Sequence, residues 1–193
     1  MVSPASRNLL WRSPRFTHYG VRMQVAVLGP IVARRDDVVI DLGAPKQRAL
    51  LTALALDAGR PVPPGRLIEL LWADDPPSAV AASLQTYVAG LRRVLEPGRA
   101  ARAPASIVVT STLGYSLKLA DDALDVGTFA ATIDEAHRRL SRPGSGVPRP
   151  PEDADAGTIR RPRDALQHAL GSWRGEPFAE LVDHYAGWPN GPD

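Results

Sequence analysis

Proline and glycine divide the middle of this chain into three segments, each short enough to be a helix of a small domain. The first predicted helix begins at Pro45, where the missing N–H costs nothing, and ends at Gly59. The second begins near Pro64 and ends before positions 76 and 77, because two consecutive prolines cannot continue a helix. The third covers residues 79–95. These breakers therefore predict three packed helices with tight connections.

Short segments rich in β-branched residues flank the three helices on both sides. Residues 23–28, 31–34 and 38–42 have the character of half-buried strands and predict a small antiparallel sheet. Residues 107–110 and 115–119 surround a turn that contains glycine, and they predict a C-terminal β-hairpin. The expected fold class is therefore α+β, a winged-helix arrangement with an N-terminal antiparallel sheet, three helices and a hairpin wing.

The predicted domain boundaries follow the same patterns. Residues 1–22 lack periodicity and are interpreted as a disordered basic extension, and residues 23–120 form the α+β unit. Residues 121–193 predict a second, mostly helical part that looks incomplete, because two helices bury little apolar surface. Its predicted pieces are helices over 121–140 and 163–175 and a flexible insertion at 141–162, rich in Pro, Gly and Arg.

The charge distribution is more informative than the formal net charge of +2. Residues 1–22 hold four basic and no acidic residues, residues 23–119 hold eleven basic and eight acidic, and residues 120–193 hold eight basic and thirteen acidic. A basic front and an acidic back indicate that a polyanionic partner would meet the front, although ordinary surface charge gives the same totals.

Several classes of protein and site are excluded or disfavoured. The sequence has no cysteine, which rules out disulfides and thiolate metal sites, and no apolar run long enough to span a membrane. The four histidines are scattered, and neither a zinc-protease, a nucleophile-elbow nor a phosphate-loop motif is present. We therefore expect a cytoplasmic protein that is not an enzyme and uses no metal or cofactor.

The third predicted helix has two contrasting faces. Its apolar residues, spaced four, three and four apart, form one narrow stripe: Leu84, Val88, Leu91 and Leu95. The opposite face carries small and polar side chains and one arginine: Ala82, Ser83, Thr86, Ala89, Gly90 and Arg93. A slim face of this kind can enter a major groove about 12 Å wide. An ordinary amphipathic surface helix has the same pattern.

The predicted hairpin adds a second surface. A wing that follows three helices can lie along the neighbouring minor groove, which would bring Thr110, Ser111, Ser116 and Lys118 near phosphates. A plain hairpin that only closes a sheet is the alternative. Helix, wing and basic front together favour binding to double-stranded DNA.

Six segments, in order and at characteristic spacing, carry a family resemblance. They are residues 28–30 (LGP), 46–51 (KQRALL), 70–77 (LLWADDPP), 84–95 (LQTYVAGLRRVL), 114–117 (GYSL) and 169–178 (ALGSWRGEPF). The first five resemble the OmpR-type winged helix of the actinobacterial antibiotic-regulatory (SARP/AfsR-like) activators. The last resembles their bacterial transcriptional activator domain, a helical unit similar to tetratricopeptide repeats.

The resemblance implies roles for particular residues. Residues 79–95 would be the recognition helix, with Thr86, Arg92 and Arg93 as the foremost DNA contacts. The loop after the second helix would contact RNA polymerase, although a bare connector is equally compatible; its residues are Trp72, Asp74, Asp75 and Ser78. The remaining candidate DNA contacts in and near the helices are Ser83, Tyr87, Ala89, Gly90, Lys46 and Arg48.

Departures from the family pattern leave two functions open. Gly90 stands where the family usually has arginine, Pro63 replaces a capping residue, and residues 111–113 replace a turn richer in Pro and Gly. The favoured hypothesis is a nucleoid-associated, sequence-specific activator. It would bind direct repeats as a homodimer or side-by-side pair and contact RNA polymerase. The alternative is a truncated or degenerate paralogue that acts as a protein-interaction module without specific DNA binding.

Overall fold

A computed structural model describes residues 22–100, 102–140 and 156–182 of the chain. It opens with a three-stranded antiparallel sheet in the order β1 (Met23–Ala26), β2 (Val32–Arg35) and β3 (Val38–Ile40). A two-residue turn joins β2 to β3, and both of its residues, Asp36 and Asp37, have positive φ angles of 48° and 67°. That backbone matches the twist of a hairpin, and aspartate tolerates it better than most residues.

Three helices follow the sheet, as the proline and glycine pattern predicts. They are α1 (Pro45–Leu56), α2 (Pro64–Trp72) and α3 (Val80–Leu95). Proline occupies the first turn of α1 and of α2, and Pro63 precedes α2 without providing a side-chain cap. The predicted helices agree with the observed ones to within three residues at each end.

A hairpin of β4 (Val108–Ser111) and β5 (Gly114–Leu117) completes the winged-helix unit. Its base is anchored between the helices. Val62, just before α2, forms an antiparallel bridge with Tyr115, in which the two N–H···O distances are 2.7 and 3.0 Å. The N–H of Gly59 also donates to Leu117 O at 2.8 Å. The expected α+β arrangement of sheet, three helices and wing is therefore present.

The C-terminal part is helical, but its boundaries differ from the prediction. It comprises α4 (Asp125–Leu140), preceded by a short 3-10 turn, α5 (Ala156–Leu170) and a short α6 (Ala179–Val182). The predicted start of a helix at 163 was wrong, because α5 begins at Ala156 and contains Pro162 in its interior. Pro162 is buried. The predicted flexible segment is thus helical from Ala156, and its earlier part, 141–155, lies outside the described residues, as does the predicted extension up to residue 21.

One buried core joins the two parts of the chain. Residues of the sheet, of all three helices and of the wing share it with Leu124 and Leu181 from the C-terminal part. Within the described ranges, no helix is long and apolar enough to cross a membrane.

A buried carboxylate fastens the C-terminal part to the first sheet. Asp125, only 1% exposed, accepts hydrogen bonds from the N–H groups of Val27 at 2.7 Å and Leu28 at 3.0 Å. The guanidinium of Arg174 lies 3.6 Å from the same carboxylate, and the N–H of Arg174 donates to Leu28 O at 2.7 Å. The backbone after β1 therefore has its polar groups satisfied by residues far along the chain.

Glycine permits this close approach. Gly29 has φ +128°, and a Cβ at this position would lie 2.9 Å from Cβ of Arg174. Arg174 also donates from Nη1 to Pro30 O at 2.8 Å, and the N–H of Ile31 donates to Glu180 at 2.7 Å. The C-terminal part thus packs against segment 28–30, which carries part of the family resemblance.

We expect Asp125→Ala to lower the free energy of unfolding by roughly 2–4 kcal/mol, because two buried N–H groups lose their acceptor. Asp134→Ala is the matched control, since Asp134 lies exposed on the same helix. Urea denaturation of both variants measures the difference. Equal stability of the two variants would contradict the role assigned to Asp125.

Candidate nucleic-acid interface

The apolar stripe of α3 is buried as its spacing predicts. The four side chains are at most 2% exposed, and they belong to the common core: Leu84, Val88, Leu91 and Leu95. Because side chains on a helix are fixed 100° apart, this burial determines which residues of α3 point outwards.

The outward face of α3 is narrow and bears few long side chains. Ala82, Gln85, Thr86, Ala89 and Arg93 are exposed along it. Thr86 donates its hydroxyl to Ala82 O at 2.9 Å, which leaves the lone pairs of its oxygen available to an outside donor. Arg93 makes no hydrogen bond or ion pair with any residue in the described ranges. Ser83, also predicted to face outwards, is half-buried.

Gly90 corrects the prediction made for it. It was expected on the outer face as a lost DNA contact, but it packs against Gln47 of α1. A Cβ at this position would lie 2.1 Å from Oε1 of Gln47, whose Nε2 donates to Leu42 O at 2.7 Å. Any larger residue would have to displace that amide. Gly90 therefore reflects close packing between α1 and α3 and says little about DNA contacts.

Arg92 also has internal partners. Its Nε donates to Val108 O at 2.8 Å and its Nη2 donates to the hydroxyl of Thr110 at 2.6 Å, so it connects α3 to β4. Burial lowers the pKa of the Arg92 guanidinium, and the positive charge of Arg99 lowers it further, while Tyr115 and Glu96 act in the opposite direction. The guanidinium nevertheless stays protonated, as arginine does throughout proteins.

The wing exposes some, but not all, of the predicted phosphate contacts. Thr110, Ser111 and Lys118 are exposed, whereas Ser116 is only 4% exposed, so its predicted place near phosphates was wrong. Successive residues of a strand point to opposite faces. Ser116 and Leu117 are both buried, so both faces of β5 are covered at this point, a tertiary effect that alternation along the sequence does not reveal.

The basic residues predicted near the DNA backbone on α1 are engaged with protein groups. Lys46 donates to Leu71 O, and its ammonium lies 5.8 Å from the centroid of the Trp72 ring. Burial lowers the pKa of Lys46. Arg48 donates to Gly43 O at 2.8 Å. Both side chains are half-buried.

Trp72, the last residue of α2, links this helix to α3. Its ring stacks on Tyr87 with centroids 6.0 Å apart and an interplanar angle of 28°. Tyr87, a predicted DNA contact, therefore has a packing role in this structure. Beyond Trp72, the predicted polymerase-contact residues Asp74, Asp75 and Ser78 are all exposed.

Two residues that sequence reasoning missed hold the end of α3. Arg35 of β2 donates to Val94 O at 2.5 Å, and Glu96 accepts from the N–H and the hydroxyl of Ser106 at 2.8 and 2.5 Å. A cation beside the last carbonyls of a helix is favourable. Neither contact has a local sequence signal, because each joins residues ten or more positions apart.

Comparison with known proteins agrees with this geometry. Residues 39–117 match the model of a family described as "Transcriptional regulatory protein, C terminal". The chain is 36% identical to regulatory protein AfsR of Streptomyces coelicolor over 165 residues. It is 33% identical to transcriptional regulatory protein EmbR of Mycobacterium tuberculosis over 162 residues, and 32% identical to regulatory protein DnrI of Streptomyces peucetius over 168 residues.

The matches cover most of this chain but a smaller share of its relatives. They include 85%, 84% and 86% of this chain and 14%, 38% and 56% of AfsR, EmbR and DnrI, respectively. A solved structure of Mycobacterium tuberculosis EmbR in complex with a low-affinity phosphopeptide has a TM-score of 0.68 and 31% identity. It covers 84% of this chain and 39% of that one. Residues 39–117 therefore form an OmpR-type transcriptional-regulator domain, and the chain is similar to the SARP-family regulators AfsR, EmbR and DnrI.

Proposed function

We propose that this protein is a sequence-specific transcriptional regulator that inserts α3 into the major groove of double-stranded DNA and lays its wing along the next minor groove. The observation that carries the proposal is the exposed face of α3. Small side chains there allow the helix backbone to approach base edges closely, and Arg93 extends from the same face.

Individual residues on this face suit distinct contacts. The Thr86 hydroxyl can meet a base edge, and the methyl groups of Ala82 and Ala89 suit the methyl group of thymine. Arg93 suits either a phosphate or the O6 and N7 acceptors of guanine. Thr110, Ser111 and Lys118 of the wing are exposed and suit phosphates of the neighbouring groove.

We further propose that the protein acts as an activator. Protomers bound side by side on direct repeats, one helical turn apart, would lie on one face of the DNA. The loop after α2 would then contact RNA polymerase through Asp74, Asp75 and Ser78, which are exposed beside a helix fixed by the Trp72–Tyr87 stack. The helical C-terminal part would serve as a partial activator domain similar to tetratricopeptide repeats.

The alternative, an interaction module without specific DNA binding, loses one of its two arguments. It was suggested by Gly90 and by the short C-terminal part. The contact between Gly90 and Gln47 gives the glycine a packing reason that is independent of DNA.

We expect Arg93→Ala to weaken binding about tenfold on all sequences and to reduce the salt slope by about one, because one cation no longer neutralises a phosphate. Thr86→Ala should instead change the preference at one base step. The probe is a duplex selected by the protein from a random-sequence pool, and fluorescence anisotropy at several salt concentrations gives the affinities.

Arg163→Ala is the control for the loss of charge, since Arg163 is exposed on α5, away from α3. It should bind like the parent. If Arg93→Ala also bound like the parent, with the same salt slope, the assignment of α3 as the recognition helix would fail.

The activator proposal has its own test in the exposed loop. We expect the double variant Asp74→Ala/Asp75→Ala to bind the selected duplex normally and to support less transcript from a promoter that contains it. In vitro transcription with purified RNA polymerase measures the yield, and Asp57→Ala, an exposed acidic control at the end of α1, should match the parent. A normal transcript yield from the double variant would argue against this contact.

A further inference from the structure

Arg92 spans the gap between α3 and the wing. Its donors diverge from one guanidinium to two residues of the same strand, with Nε on Val108 O at 2.8 Å and Nη2 on the Thr110 hydroxyl at 2.6 Å. Val108 is fully buried and Thr110 is exposed, so the two bonds run from the base of the wing towards its outer half. A displaced wing would break both of them.

The opposite strand of the wing is held as well. Gly114 has φ +135°, and a Cβ on it would lie 2.1 Å from the carbonyl oxygen of Val62. The bridge between Val62 and Tyr115 fixes this strand against the segment before α2. Both strands of the wing are thus attached to the helical unit: Val62 and Gly59 hold β5, and Arg92 joins β4 to α3.

The tip of the wing carries no charged residue, so it has no long-range electrostatic attraction to DNA. From residue 107 to residue 118 the sole charged residue is Lys118, which directly follows β5. The tip itself consists of Thr112 and Leu113, and Leu113 is 69% exposed. Hydroxyl and apolar contacts act only at short range. Their contribution therefore depends on how accurately the wing is placed.

We propose that Arg92 is a positioning residue for DNA binding, which sets the separation between α3 and the wing so that both engage neighbouring grooves at once. Arg92 was predicted from the sequence as a direct contact. In this account it acts through Thr110 and Val108 and does not itself touch a base or phosphate. The inference rests on the proposed function and deepens it.

Lysine cannot replace arginine in this role. A guanidinium presents Nε and Nη2 in a rigid planar fork that reaches two acceptors at once, whereas an ammonium is a single point of charge on a flexible stem. A phosphate contact, in contrast, tolerates lysine. Arg92→Lys therefore separates the two roles.

The experiment compares binding of four variants to duplexes of different length. The full duplex is the one that the protein selects from a random pool. Shortened duplexes lack about five base pairs, half a helical turn, at one end or the other. One of the two shortened duplexes should bind the parent protein more weakly, although the parent still prefers its central sequence. The end that this duplex lacks is the end that the wing contacts. The variants are Arg92→Lys, Arg92→Ala, Thr110→Val and the double variant Arg92→Ala/Thr110→Val.

Each variant, including Arg92→Lys, is expected to bind the full duplex about tenfold more weakly than the parent, and the double variant no more weakly than either single alanine or valine variant. On the duplex shortened at the wing end, all of the variants should bind with the same affinity as the parent. That match also shows that the variants remain folded, because a general loss of structure would weaken both complexes equally.

Two results would overturn the positioning role of Arg92 and leave the proposed function standing. One is binding of Arg92→Lys to the full duplex with the affinity of the parent, which indicates a charge contact. The other is multiplication of the Arg92→Ala and Thr110→Val effects in the double variant. If the parent itself did not distinguish its selected sequence from a scrambled one, the proposed function would fail and this inference with it.

Discussion

Burial of four apolar side chains fixes the rotation of α3 about its axis, and the rest of the interface depends on that rotation. Leu84, Val88, Leu91 and Leu95 enter a core shared with α1 and α2. Each fully buried side chain of this kind contributes about 1.5–3 kcal/mol, far more than any single polar contact on the opposite face. The outward side of α3 is thus held in place by interactions that DNA does not touch.

The C-terminal part is attached where it leaves this outward side open. Its contacts run to β1, to the loop after β1 and to α1, with Asp125 as the buried anchor. Among the described residues, no hydrogen bond or ion pair joins α4, α5 or α6 to α3. The helices α4, α5 and α6 therefore lie apart from the proposed DNA-binding helix, and a polyanion that approaches α3 does not have to displace them.

Local patterns in the sequence predicted the elements, and tertiary contacts decided the residues on which prediction failed. Helical spacing and prolines gave α1 to α3 and the buried stripe, because these signals act within a few residues. Gly90 and Ser116 were misplaced, since their surroundings come from Gln47 and from the covered faces of β5. The bonds from Arg92 to the wing had no local signal either, because they join residues 16 and 18 positions apart. Pro162 likewise lies inside α5, although the composition of residues 141–162 predicted a flexible segment there.

Dimethyl sulfate protection on the selected duplex tests whether α3 lies in the major groove and the wing in the neighbouring minor groove. The reagent methylates guanine N7 in the major groove and adenine N3 in the minor groove. For each protomer, we expect α3 to protect a cluster of guanine N7 atoms. The wing should protect adenine N3 atoms within about half a helical turn of that cluster, on one side of it only. Protection of N3 atoms without any of N7, or uniform weak protection along the duplex, would contradict it.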